Sequence, residues 1–145
     1  MKLQTAFRGA AERNKWMDPM MQVTVTVISA RGLKAADSNG KSDPYARLHL
    51  HKHTHQSKTK YKTLDPVWEE EFMFKGKKGP LLTKPLHIQL YDSDMLSFDD
   101  PLGGVYIDLL PLVGEEGKLA EGEVEEMIRD LDTQGSVRFK ISWKW

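Results

Sequence analysis

Strict alternation of apolar and polar residues dominates the chain from Met21 onward. In MQVTVTVIS, Met21, Val23, Val25 and Val27 fall on one face, and Gln22, Thr24 and Thr26 on the other. A period of two with β-branched residues predicts a half-buried strand. YARLHLHKH (45–53) predicts a second strand, with Ala46, Leu48 and Leu50 opposite Tyr45, Arg47, His49 and His51. QSKTKYK (56–62) predicts a third, short and mostly polar. VWEEEFMFK (67–75), LHIQLYD (86–92), GGVYIDL (103–109) and SVRFKISWKW (136–145) complete seven strands. In the last, Val137, Phe139, Ile141 and Trp143 alternate with Arg138, Lys140, Ser142 and Lys144. Trp68, Phe72 and Phe74 share a period of two and are assigned to the core.

The connections are rich in turn residues, notably ARGLKAADSNGKSDP and GKKGPLLTKP. Helix-compatible sequence is confined to Leu109–Leu131, where EVEEMIRDL fits a short helix or an eighth strand. No glycine-rich phosphate loop follows a strand and opens a helix, which disfavours an α/β nucleotide fold. Half-apolar sheets must bury one face each, so the expected fold is all-β: an antiparallel β-sandwich with loops gathered at its two ends. Residues 1–19 give only a weak helical stripe (Leu3, Phe7, Ala10, Ala11, Asn14), ended by Pro19, and are set apart as an N-terminal extension from a domain over 20–145.

The 145 residues suffice for one domain. With no cysteine there is no disulfide framework and no thiolate metal site, and a reducing, cytosolic setting is the simplest. No apolar run reaches the roughly 18 residues that a membrane span needs. A formal net charge of zero argues against a general nucleic-acid binder, yet the charge is sorted. Residues 47–62 hold five Lys or Arg, four His and no acid, whereas 92–100 hold four Asp and no base.

The acids are spaced in a repeating way. Asp37 and Asp43 bracket SNGKS, and Asp94 and Asp100 show the same six-residue gap, with Asp92 two positions before Asp94. If both loops lie at one end of the sandwich, five carboxylates converge. Such anions repel and raise one another's pKa values. A hard divalent cation relieves this, and calcium, which takes about six to eight oxygens in loose geometry, suits flexible loops better than magnesium. The competing reading is ordinary turn chemistry, since DSNG and DDPLG are common turn sequences. DSNGKSD is not an EF-hand loop: Gly40 is fourth rather than sixth, and the twelfth position is Leu48.

GLKAADSNGKSDPYARLHL, KTKYKTLDPVWEEEFMF and LHIQLYDSDMLSFDDPLGGVYIDL together resemble the C2 domain, an eight-stranded Greek-key sandwich that binds calcium and phospholipid. The likeness covers about residues 20–145 and favours the topology whose final strand is C-terminal. It implies a calcium site at Asp37, Asp43, Asp92, Asp94 and Asp100, with contributions near Ala36, Ser93, Ser97 and Phe98. Asp99 has no counterpart and reads as rim charge. The resemblance also implies bilayer-inserting tips at Met95, Leu96 and Phe98; the first loop departs from this, because Ser38-Asn39-Gly40-Lys41 offers nothing apolar.

Lys58, Lys60 and Lys62 recur at period two, which would put them on one face of the third strand. Solubility is one reading; the resemblance adds a phosphoinositide site, with Tyr91 as its aromatic. The alternating His49, His51, His53 and His55 would line one face if the strand ran straight, but a hairpin break is expected near His53-Thr54. The implied function is non-enzymatic: calcium-dependent binding to anionic phospholipids by a cytoplasmic module recruited peripherally to membranes. The alternative is a calcium-regulated protein-interaction module of the same fold, acting with protein partners or with further domains of a longer chain.

Overall fold

The computed structural model describes residues 18–145. Eight strands form two four-stranded antiparallel sheets: β1 (Met20–Arg31), β2 (Pro44–Leu50), β3 (His53–Gln56), β4 (Val67–Lys77), β5 (Leu86–Asp92), β6 (Asp100–Ile107), β7 (Glu125–Asp130) and β8 (Ser136–Lys144). One sheet has the order β4-β1-β8-β7 and the other β3-β2-β5-β6. The expected sandwich is therefore the observed one, with the eighth strand at β7 and the final strand at the C-terminal end.

The alternating residues meet between the sheets. Val23, Val25 and Val27 of β1 face Phe74, Phe139 and Ile141 in their own sheet, and Leu48, Leu50, Ile88 and Leu90 close the core from the other. A bulge at Ile28 shifts the register of β1 against both neighbours. Opposite it, Glu69 adopts φ 52.

Three elements differ from the sequence pattern. The turn between β2 and β3 comes at His51-Lys52, two residues early, with His51 at φ 55. β3 ends at Gln56, because Ser57 turns inward: its hydroxyl accepts the Ala46 N–H at 2.8 Å and donates to the Lys58 carbonyl. The described helix lies not in 109–131 but at α1 (Lys78–Thr83), where Leu81 and Leu82 are buried against the end of the sandwich. Asp18 accepts the Gly79 N–H at 2.8 Å, tying the start of the described chain to α1. The weak stripe over Leu3–Asn14 lies outside the described residues.

Side-chain and loop contacts bridge both open sides of the sandwich. His53 and His55 project from β3 and donate through Nε2 to the Lys75 and Met73 carbonyls of β4, at 2.9 and 3.0 Å. His55 also stacks on Phe72 and meets Phe74 edge-on. On the other side the β7–β8 turn reaches β6: Gly104 N–H donates to Asp132, Asp132 N–H to the Gly104 carbonyl, and Thr133 to the Leu102 carbonyl. Four connections gather at one end: 32–43, 57–66, 93–99 and 131–135.

Candidate functional site

The connection from β1 to β2 is built from inside. Leu33 is buried and its N–H donates to the Leu64 carbonyl. Ser42 is fully buried; its hydroxyl accepts the Ala36 N–H and donates to the Lys34 carbonyl, both at 2.9 Å. That brace sets the path of the loop into Asp37. The tip then closes on itself, with Asp37 N–H to the Lys41 carbonyl and Gly40 N–H to the Asp37 carbonyl. Gly40 sits at φ 78, a conformation that glycine adopts without strain.

Asp43 joins three segments. Its N–H donates to Asp92 Oδ1 at 2.6 Å, its carbonyl accepts the Ser93 N–H, and its carboxylate accepts the Lys62 N–H at 2.6 Å. This brings carboxylate oxygens of Asp37, Asp43 and Asp92 within 4.8 Å of one another. Asp92 is only 1% exposed. Burial, reinforced by the neighbouring Asp37 and Asp43, pushes its pKa up to about 6, against the lowering effect of the Asp43 N–H. Three hard oxygen donors in mutual repulsion are the arrangement that a divalent cation relieves, and they fit calcium.

Asp94 and Asp100 are not in this group. Asp94 turns onto its own loop: Oδ1 accepts the Leu96 N–H and Oδ2 the Ser97 hydroxyl, at 2.9 and 2.8 Å. These bonds hold its carboxyl below the usual range. Asp100 opens β6, exposed and opposite Asp92 in the register. Beyond them Met95, Leu96 and Phe98 stand 97%, 97% and 95% exposed, so the loop tip is an uncovered apolar wedge.

Asp99, read from sequence as rim charge, is a tether. It accepts the Asp94 N–H at 2.9 Å and the Tyr45 hydroxyl at 2.5 Å. Burial and the Asp99 carboxylate push the Tyr45 pKa up to about 12, while the same hydroxyl depresses that of Asp99. Tyr45 stacks on Tyr91 with ring centroids 5.5 Å apart, and the Arg47 guanidinium lies 4.8 Å from the Tyr91 centroid. Arg47 and Tyr45 were visible in sequence as the outer face of β2, but only the pairing of β2 with β5 sets them against Tyr91.

Lys58, Lys60 and Lys62 do not share a strand face. They lie on the irregular segment after β3, where Lys62 adopts φ 55 and the Lys58 N–H donates to Glu70. The segment still runs beside β2, through Ser57 N–H to Ala46, Lys60 N–H to Pro44 and Thr63 N–H to Ser42. The histidines likewise form no single row. His49 contacts Thr54 on the outer face, His51 is in the turn, and His53 and His55 face β4. His49 and His51 instead border a groove of about 870 Å³ with His87 and Tyr106, at the end away from the acidic loops.

Residues 21–127 match the C2 domain family. The chain belongs to this family. Synaptotagmin-1 of Caenorhabditis elegans is 40% identical over 113 residues, covering 76% of this chain and 24% of its own length. This C2 domain thus spans a quarter or less of the curated relatives it matches. The first C2 domain of plant extended synaptotagmin 1 superposes with a TM-score of 0.73 at 23% identity, over 85% of this chain and 93% of that one, and shows the shared fold. The calcium-bound pair of C2 domains from extended synaptotagmin 2 gives 0.71 at 26% identity, over 84% of this chain and 45% of theirs. What the chain shares with these longer relatives is the C2 domain.

Proposed function

We propose that this C2 domain docks on anionic phospholipid membranes when calcium binds its acidic end. The observation that carries the reading is the convergence of Asp37, Asp43 and buried Asp92 directly beside the exposed Met95-Leu96 tip. Without an ion, the acids repel an anionic surface and hold the apolar tip away from it. Calcium neutralises them, and headgroup phosphate oxygens complete its coordination. Asp94 and Asp100 join as ligands once Asp94 gives up its bonds to Leu96 and Ser97. The Ala36, Ser93 and Phe98 carbonyls and the Ser97 hydroxyl are the neighbouring neutral donors. The calcium-bound state of the extended synaptotagmin 2 domains supports the choice of ion.

Burying each of Met95, Leu96 and Phe98 contributes about 1.5–3 kcal/mol, enough together for reversible contact rather than anchorage. Lys58, Lys60 and Lys62 with Tyr91 form the basic side of the contact, now joined by Arg47, and favour phosphoinositides among anionic lipids. The domain then moves from cytosol to membrane as calcium rises. The test is sedimentation with phosphatidylserine vesicles. Calcium-dependent pelleting, reversed by chelator, is expected; pelleting that ignores both calcium and chelator would sink the reading. Calcium binding by calorimetry without any gain in vesicle binding would favour the protein-interaction module instead.

A further inference from the structure

Tyr61 is 72% exposed, on the connection between β3 and β4, with Lys60 and Lys62 on either side. A single exposed aromatic is ordinary on a protein surface and means little alone. The placement of this one is what matters. Lys60 N–H donates to the Pro44 carbonyl at 2.9 Å, Lys62 N–H to the Asp43 carboxylate at 2.6 Å, and Thr63 N–H to the Ser42 carbonyl at 2.8 Å. Leu64, three residues on, packs against the core. The backbone around Tyr61 is thus fixed to the acidic loop, one residue from a bond to Asp43. Lys62 at φ 55 holds a conformation unusual for a side chain of its size, and the Asp43 bond on its N–H helps to fix it there.

We infer that Tyr61 is a second point of contact with an anionic lipid interface, placed across Asp43 from the Met95-Leu96-Phe98 tip. This rests on the docking function proposed above and deepens it. The first acidic loop cannot supply that second point, because Ser38-Asn39-Gly40-Lys41 is polar throughout. Tyrosine suits the headgroup level, with an apolar ring and a hydroxyl that stays wet. Lysines on both sides match anionic headgroups. The domain then rests on two supports of different depth: a deep apolar tip after β5 and a shallow aromatic, basic one after β3.

The chain has no cysteine, so a single introduced cysteine carries a fluorophore without competition. Three variants, Tyr61→Cys, Leu96→Cys and Tyr106→Cys, would be labelled with nitrobenzoxadiazole and mixed with phosphatidylserine/phosphatidylcholine vesicles, with and without calcium. The labels at 61 and 96 should brighten and shift to the blue with calcium, and the label at 106, at the opposite end, should not. Lipids carrying a quencher near the headgroup should darken position 61 more than deep-quencher lipids do, with the reverse at 96. A response at 96 with position 61 behaving like 106 overturns the inference and leaves the docking function standing. Silence at all three overturns both. Tyr61→Ser should weaken vesicle binding by about three- to tenfold, with lipid-free calcium titration unchanged; undiminished vesicle affinity would also overturn it.

Discussion

The two acidic loops of this C2 domain share a six-residue spacing of aspartates and are held in opposite ways. The loop from β1 to β2 is braced by the core: Ser42 and Leu33 are buried, and Asp37 and Asp43 are fixed by backbone geometry. The loop from β5 to β6 is braced by its own acids. Asp94 wraps the Leu96 N–H and the Ser97 hydroxyl, and Asp99 reaches back to Tyr45. On the proposed reading, one loop contributes ligands already in position. The other must exchange internal hydrogen bonds for the ion, and it is also the loop with the apolar tip. Ion binding and tip presentation are then linked through Asp94.

The two loops touch at Asp92, which accepts the Asp43 N–H. Asp92→Asn keeps an acceptor for the Asp43 N–H while removing a buried negative charge. Calorimetric calcium binding should be lost, and the ion-free melting temperature should hold or rise. A marked drop in that temperature would show that the charge itself supports the fold.

Bracing from the core predicts a contrast between two serines. Ser42→Ala leaves the Ala36 N–H and the Lys34 carbonyl short of a buried partner and should cost about 1–3 kcal/mol in denaturant unfolding. Ser97→Ala, on the exposed loop, should stay within about 0.5 kcal/mol. Equal costs would erase the distinction between the loops.

The smallest effect is on pH. The folded pKa of Asp92, about 6, lies above the ordinary carboxylate value of 3.8. Its contribution to ion-free stability is therefore fully present below the ordinary value and lost as pH rises through about 6. Calcium affinity should run the other way, falling about tenfold from pH 7 to pH 5 as protons compete for Asp92. Titrations giving the same affinity at both pH values would remove Asp92 from the ligand set.

Much of this was legible in the sequence because it followed periodicity. β1, β2, β4, β5 and β8 bury alternate apolar residues, and the five candidate aspartates stand out by spacing. β7 was ambiguous for a physical reason: EEMIRD buries only Met127 and exposes Ile128, so it has no stripe to read. α1 was hidden by its own Gly79-Pro80. The alternating lysines suggested a strand that the inward turn of Ser57 ends. Within the site, the tether from Tyr45 to Asp99 joins residues 54 apart and has no local signature. The direction of the Asp94 carboxylate depends on a rotamer, which spacing does not encode.

The bridged flanks of the sandwich bear on crowding. Modules concentrated on a two-dimensional surface meet one another side by side, where unpaired strand backbones invite edge-to-edge pairing. Here two imidazoles occupy outward carbonyls of β4, and the turn at Asp132-Thr133 caps part of β6. Neighbouring copies packed onto one vesicle are thereby denied two ready templates for sheet extension, and high surface density need not become aggregation.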